Sequence, residues 1–161
     1  MNKKKMILLF LFAFILSSCV KQHEQNEVKY FTSKHEALQY GMNEVRGEVI
    51  DQWTMENETF IFYKEIDDGG VSVSSISHSS EGYYWFNGIA SMICHQCYFQ
   101  YTSEYQNTIP IIAGKIENPN VKSVEVENAA GHAQTLNVQK GYYIEWNTKL
   151  GANYKVTKEL Q

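Results

Sequence analysis

The amino-acid sequence predicts an α+β fold that is mostly β: one N-terminal helix followed by antiparallel strands forming a meander sheet or sandwich. Three observations support this prediction. A helix-capping pattern and apolar residues at helical spacing occur together near residues 33–47. After that segment, apolar residues recur at every second position, as in strands. Aromatic residues, which favour strands, make up 14% of the chain and include 11 tyrosines.

The predicted helix covers residues 34–46. Ser33 and Glu36 have the spacing of a capping box, in which the serine side chain bonds the first amide groups and the glutamate reaches back. The apolar residues of one face follow at helical spacing: Leu38, Met42 and Val45. Gly47 is placed to end the helix.

The strands follow in the order of the chain. They are predicted at residues 49–55, 59–66, 71–76, 83–86, 92–101, 109–117, 121–127, 132–138 and 142–146, with a short edge strand through Tyr154 and Val156. Residues 77–82 are predicted to form a polar loop. The last three long strands have short links, which predicts an antiparallel meander that is solvated on one side. Tyr143 is expected on that outward side.

The N-terminus has the composition of an export signal. Three lysines at residues 3–5 precede an apolar stretch at residues 6–16, which is too short to cross a bilayer because a spanning helix needs about 20 residues. The run Leu16-Ser17-Ser18-Cys19 then resembles the lipobox of bacterial lipoprotein precursors: an aliphatic residue, two small residues and a cysteine. The alternative is an ordinary secretory signal in which Cys19 is incidental.

The lipoprotein resemblance implies a covalent anchor on Cys19. Diacylglycerol would be attached to its thiol, the chain would be cleaved before it, and the new amino group would often be acylated. Residues 1–18 are then the signal peptide, residues 19–31 the lipidated cysteine and a polar tether, and residues 32–161 a single globular extracytoplasmic domain. The implied location is the outer face of the cytoplasmic membrane, or an outer membrane if the source is Gram-negative.

A second resemblance involves residues 114–121 and 123–126. These segments are similar to parts of small uncharacterised lipoproteins of Gram-positive bacilli. The resemblance implies the same compartment and a strand-rich fold, and it implies no catalytic residues.

The charge balance excludes one class of partner. The full chain has a net charge of −4, and removal of the three signal lysines leaves 11 basic and 18 acidic residues, a net charge of −7. Nucleic-acid binding relies on clustered lysine and arginine, so we expect no nucleic-acid partner. An acidic domain also gains no general attraction to anionic headgroups, so the lipid on Cys19 must supply the membrane contact.

The motif Cys94-His95-Gln96-Cys97 is the strongest candidate for a redox or metal-binding site. Two cysteines with two residues between them form a structural disulfide, a redox pair or half of a zinc site. An extracytoplasmic location favours a structural, unreactive disulfide between Cys94 and Cys97. A thioredoxin-type role is disfavoured because Ile93 precedes the motif and a strand-like segment, not a helix, follows it. A second pair of zinc ligands is missing, so we expect no metal and no cofactor.

The second candidate is an aromatic binding surface. Tyr83, Tyr84, Trp85 and Phe86 are consecutive, so in a strand they point to both faces. Rings on a solvated face would stack on a glycan, a peptide or an envelope protein, and Tyr143 is a similar, weaker case. The alternative is that these rings form cross-strand pairs or fill a core.

No motif assigns catalysis. The serines beside His78 are not part of a Gly-x-Ser-x-Gly elbow. The sequence therefore favours a lipid-anchored cell-envelope protein that acts as a non-catalytic binding or accessory module. Two alternatives remain open: a membrane-tethered thiol–disulfide enzyme using Cys94 and Cys97, and a surface immunity or inhibitor lipoprotein.

Overall fold

The computed structural model describes residues 28–67, 70–88, 91–92 and 95–161. This part of the chain contains one helix and two six-stranded antiparallel sheets, one of them curled into a half-barrel. The predicted fold class, mostly β with one helix ahead of antiparallel strands, is confirmed. The signal peptide, Cys19, most of the tether and Cys94 lie outside the described residues.

Six strands form the first sheet. They are β1 (Tyr30–Phe31), β2 (Gly47–Met55), β3 (Glu58–Glu65), β4 (Val71–Ser79), β5 (Gly82–Phe86) and β6 (Ser91–Met92). Their order is β1-β5-β4-β3-β2, and β6 also pairs with β4.

Six further strands form the second sheet. They are β7 (Gln96–Thr102), β8 (Thr108–Lys115), β9 (Ser123–Glu127), β10 (Ala133–Gln139), β11 (Tyr142–Trp146) and β12 (Lys155–Leu160). Their order is β12-β9-β10-β11-β8-β7, so β9, β10 and β11 are the predicted meander.

The helix α1 (Lys34–Val45) begins as the sequence predicts and ends one residue earlier. The Ser33 hydroxyl accepts a hydrogen bond from the Glu36 amide at 3.2 Å. The Glu36 carboxylate bonds Thr32, accepting from its amide at 3.1 Å and its hydroxyl at 2.8 Å. The prediction that Gly47 ends the helix is wrong: Arg46 is the left-handed cap (φ 48°), and Gly47 begins β2. A Cβ atom at Gly47 would lie 2.7 Å from the Tyr63 ring.

Two predicted boundaries in the middle of the chain are wrong. The expected polar loop at residues 77–82 is mostly strand, because β4 continues to Ser79 and only Ser80 and Glu81 form the turn. Ser77 tolerates burial because its hydroxyl donates to the Glu58 carboxylate at 3.1 Å. The single strand expected at residues 92–101 is two strands, since β6 pairs with β4 in the first sheet and β7 pairs with β8 in the second.

Three apolar clusters lie in successive layers. Ala37, Ile61 and Tyr63 belong to the cluster between α1 and the first sheet. The middle cluster joins the two sheets and includes Phe60 and Ile111. The third lies on the far face of the second sheet and is composed of these buried residues: Ile112, Ile116, Val121, Val124, Val126, Leu136, Tyr143, Leu150 and Tyr154. Both sheets are therefore covered on both faces over much of their area.

This third cluster corrects the prediction for Tyr143. Its side chain was expected to face solvent, but it is 0% exposed. Its hydroxyl lies 3.3 Å from that of Tyr154, which in turn donates to the Ala113 carbonyl at 3.0 Å. Segments distant in sequence, around Val121 and Leu150–Tyr154, cover the face that the strand pattern left open to water.

Candidate functional site

The cysteine motif is described only at its second cysteine. Cys97 lies half-buried in β7 and is disulfide-bonded. The two other cysteines of the chain, Cys19 and Cys94, lie outside the described residues. The pairing of Cys94 with Cys97 therefore stays a prediction. The strand around Cys97 is held by the Tyr154 hydroxyl, which donates to the Cys97 carbonyl at 2.9 Å.

The aromatic run of β5 points to both faces, and both faces are largely covered. Tyr83 and Trp85 pack against the cluster beneath α1. A Cβ atom at Gly41 of the helix would lie 2.1 Å from the Trp85 ring, so the helix rests directly on the indole. Tyr84 is 8% exposed and Phe86 packs against the cluster between the sheets. These contacts match the alternative in which the rings fill a core, because a helix covers one face of β5 and the second sheet covers part of the other.

The exposed aromatic surface lies instead at one end of the sandwich. Tyr30, Tyr84 and Tyr105 form what we call the tyrosine end. Tyr30 and Tyr84 are register partners of β1 and β5, with ring centroids 5.4 Å apart in a T-shaped arrangement. Tyr105 lies in the loop between β7 and β8, and its hydroxyl donates to the His78 carbonyl at 2.9 Å. Tyr30 is 39% exposed and Tyr105 44% exposed.

Two phenols of the tyrosine end, those of Tyr30 and Tyr84, have a pKa above the ordinary value of 10.0. Burial, followed by a hydrogen bond to Tyr105, raises the pKa of Tyr84 to about 12. A hydrogen bond to the Glu81 carboxylate is the largest cause that raises the pKa of Tyr30. Glu104 raises both of these pKa values further through its charge. The surface therefore combines neutral aromatic hydroxyls with two exposed carboxylates.

A buried carboxylate fixes the loop that carries Tyr105. Glu58, the first residue of β3, is 1% exposed. One of its oxygens accepts from Ser77; the other accepts from the Ser103 hydroxyl at 2.6 Å and the Asn107 side-chain amide at 2.8 Å. A buried charge is tolerated only when it is paired or fully hydrogen-bonded, as here. The carboxylate therefore ties the loop of the second sheet to β3 and β4 of the first.

The opposite end of the sandwich carries a groove of about 640 Å³ with a basic lining. We call it the lysine groove; Lys64, Lys115, Lys122, Lys140 and Tyr142 line it. Lys64 lies near the end of β3 that is remote from Glu58, and Lys115 ends β8. Lys64 is six positions after Glu58 along β3, so the two ends lie about 20 Å apart.

In the part of the chain that the structure describes, no three His, Cys, Asp or Glu side chains lie close enough together to hold a metal ion. The one described helix is too short and too polar to span a bilayer.

Sequence reasoning missed most of the tyrosine end. Tyr30 was assigned to the polar tether, although the adjacent aromatic pair Tyr30-Phe31 is a signal for a strand. Glu58 falls in the short link between the predicted strands 49–55 and 59–66, and nothing in its neighbours distinguishes it from an exposed glutamate. The four groove lysines are spread over residues 64–140, and the nearest two are 7 positions apart in the sequence. They therefore form no run of charged residues.

Comparisons with known proteins add no assignment to this geometry. No family model, no curated protein and no solved structure matches the chain.

Proposed function

We propose that this protein is a lipid-anchored cell-envelope binding module, without catalysis of its own, that holds an envelope glycan at its tyrosine end. One observation carries the proposal: Tyr30 and Tyr105 are exposed, and both contact Tyr84, Tyr30 through a T-shaped ring pair and Tyr105 through a hydrogen bond, on paired strands and a bonded loop. A preorganised site loses little conformational entropy when a ligand binds.

The chemistry of this end suits a sugar. Aromatic rings provide flat apolar faces for the C–H groups of a sugar ring, and tyrosine also offers a hydroxyl for hydrogen bonding. The carboxylates of Glu81 and Glu104 accept hydrogen bonds from sugar hydroxyls, and bonds to ionised groups are the stronger kind. Together these groups match a ligand with an apolar face and many hydroxyl donors.

The N-terminal sequence supports the anchoring part of the proposal. The basic head, the apolar stretch and the lipobox-like Leu16-Ser17-Ser18-Cys19 occur in the order that lipoprotein export requires. Two or more acyl chains on one residue give stable anchoring, since each buried methylene contributes about 0.8 kcal/mol. We expect Cys19→Ala to move the protein from the membrane fraction to the soluble extracytoplasmic fraction; a variant that stays membrane-bound would contradict this part.

The thiol–disulfide alternative gains little support from the described residues. Reactive cysteines acquire a low pKa at helix N-termini or beside cations. Cys97 instead is the second residue of β7, paired with Ala113 of β8. The immunity or inhibitor alternative uses the same tyrosine end with a protein ligand, and a binding experiment separates it from the glycan proposal.

The test uses full-length protein in neutral detergent and purified cell-wall glycan. Tyr30→Ala/Tyr105→Ala should weaken retention on the glycan about tenfold or more, because two stacking rings are lost. Tyr30→Phe/Tyr105→Phe keeps the rings and should retain most of the binding. The matched control is Ile66→Ala, which removes an exposed apolar side chain (63% exposed) remote from the tyrosine end in the fold.

Two results would contradict the glycan proposal. The first is equal retention of the wild type and the Tyr30→Ala/Tyr105→Ala variant. The second is the absence of glycan binding together with tyrosine-dependent capture of a purified envelope protein, which would favour the inhibitor alternative.

A further inference from the structure

The chain is acidic overall, yet a large share of its few basic residues lines the lysine groove. The described residues include ten lysine and arginine residues, and four of them line this one groove. Among the described residues only Lys140 of these four forms an ion pair, with Glu48 at 2.7 Å. Glu117 also lines the groove. The lining of the groove thus contains four lysines and one glutamate.

The tertiary structure brings these lysines together from both sheets. Lys64 belongs to the first sheet and Lys115 to the second, so they approach the groove from opposite sides. Lys140 lies in the turn between β10 and β11, where its ammonium group also donates to the Val49 carbonyl at 2.7 Å. Lys122 precedes β9, and its backbone amide is fixed by the Leu160 carbonyl at 2.8 Å.

The groove also contains a neutral donor. Tyr142 lines the groove and is only 6% exposed as a whole residue. Its hydroxyl has no hydrogen-bond partner among the described residues, and burial of the side chain raises the pKa of this phenol. The hydroxyl oxygen is not one of the fully buried polar atoms without a partner, so it is open to solvent in the groove. The groove thus offers an accessible proton donor together with its lysine side chains.

From these observations we infer that the lysine groove binds the phosphate group of a phosphate ester. Lysine ammonium groups are compact point charges that bind phosphate oxygens, and the Tyr142 hydroxyl supplies a neutral donor. The groove volume of about 640 Å³ falls in the range of small-molecule sites and exceeds one phosphate, so it also holds the organic part of an ester. Val121 and Val138 provide the apolar lining for that part.

The groove is far from the two exposed carboxylates of the tyrosine end. At physiological salt the Debye length is about 8 Å, whereas the tyrosine end lies about 20 Å away. The charges of Glu81 and Glu104 are therefore screened at the groove. This inference goes beyond the proposed glycan function, because it concerns other residues, another ligand and the other end of the sandwich.

The test uses full-length protein in neutral detergent and two probes. The first probe is glycerol 3-phosphate, titrated by calorimetry as a soluble phosphate ester. The second is phosphatidylglycerol doped into the micelles, with phosphatidylcholine as the comparison lipid. Lys115→Gln/Lys122→Gln should weaken binding about tenfold or more, because two charge-assisted contacts are lost. Tyr142→Phe should weaken it severalfold while leaving the net charge unchanged.

The matched control is Lys155→Gln/Lys158→Gln, which removes the same charge from β12, outside the groove. It should leave the affinity within about twofold of wild type. Binding of glycerol 3-phosphate identifies a soluble ester as the ligand source, and binding to phosphatidylglycerol micelles alone identifies a headgroup; either result supports the site.

Three results would overturn the inference. One is no binding of either probe, and another is equal loss of affinity in the groove variant and the control variant. The third is an unchanged affinity in Lys115→Gln/Lys122→Gln. Unfolding midpoints of all variants, measured in urea, verify that each compared protein is folded. The tyrosine-end variant Tyr30→Ala/Tyr105→Ala should bind phosphate as the wild type does, so failure of one proposal is distinguishable from failure of the other.

Discussion

The two ends of the sandwich differ in where their charged groups lie and in what those groups contact. At the tyrosine end, the Glu58 carboxylate is buried and accepts three hydrogen bonds from two sheets. At the lysine groove, four ammonium groups stay near the surface, and only Lys140 forms an ion pair with a described residue. A charge that is buried and fully bonded supports the architecture, whereas like charges gathered around an open groove are available to a ligand of the opposite sign.

The largest effect on stability should come from the buried carboxylate. We expect Glu58→Ala to lower the free energy of unfolding by about 3 kcal/mol, because the donors of Ser77, Ser103 and Asn107 lose their acceptor. Glu58→Gln is the matched variant: its amide oxygen still accepts from Ser103 and Asn107, and its amide group donates to Ser77. It should cost only about 1 kcal/mol.

Urea unfolding measures both values, and hydrogen exchange at the amides of Ser103 and Asn107 reports the loop. If Glu58→Ala is as stable as the wild type, the Glu58 carboxylate does not support the architecture, and the proposed difference between the two ends of the sandwich is wrong. If Glu58→Gln is as damaging as Glu58→Ala, the negative charge itself, and not the hydrogen bonds, holds the loop.

A smaller effect should follow from alkaline pH at the tyrosine end. The pKa of Tyr84 is raised to about 12 in the folded state, against an ordinary value of 10.0. Its contribution to stability is therefore complete below pH 10 and is lost as the pH rises from 10 towards 12, since the unfolded state releases its proton first.

Tyr84→Phe should lessen this loss. The difference in urea midpoint between pH 8 and pH 11 should be smaller in the variant than in the wild type, although other buried tyrosines, such as Tyr63 and Tyr143, contribute in the same direction. An equal difference in both proteins would show that Tyr84 titrates alike in the folded and unfolded states.

The smallest effect on stability should come from the ion pair of the lysine groove. Glu48 and Lys140 are more than half exposed, so solvent screens their attraction. Glu48→Gln should leave the urea midpoint unchanged within error and tighten glycerol 3-phosphate binding, because a competing carboxylate is removed. A clear loss of stability would show that this pair supports the architecture in the way that Glu58 does.

Local sequence signals sufficed for most elements of the fold. The capping box located α1 within one residue, and alternating residues located β11 at its observed bounds. The failures occurred where polar side chains are satisfied inside the fold. Ser77 looks like a loop residue, yet the Glu58 carboxylate accepts its hydrogen bond and lets β4 continue.

The candidate sites were less predictable than the fold. The adjacent rings of Tyr83–Phe86 predicted a binding surface. Their adjacency in sequence does not reveal that α1 and the second sheet pack against them. Tyr30 and Tyr105 lie 75 residues apart and meet only because β1 pairs with β5 and the Ser103–Asn107 loop is tied to Glu58. Side chains separated in this way leave no local pattern.

Capping, alternation and signal composition act over a few neighbouring residues, so the sequence predicts the type and order of most elements and an export and lipidation signal. Which faces of the strands are buried and which charges converge depends on the tertiary structure. Tyr143 is buried and the groove lysines gather because sheets pair segments that are far apart in the chain. Such contacts depend on the packing of whole layers, which no short stretch of sequence encodes.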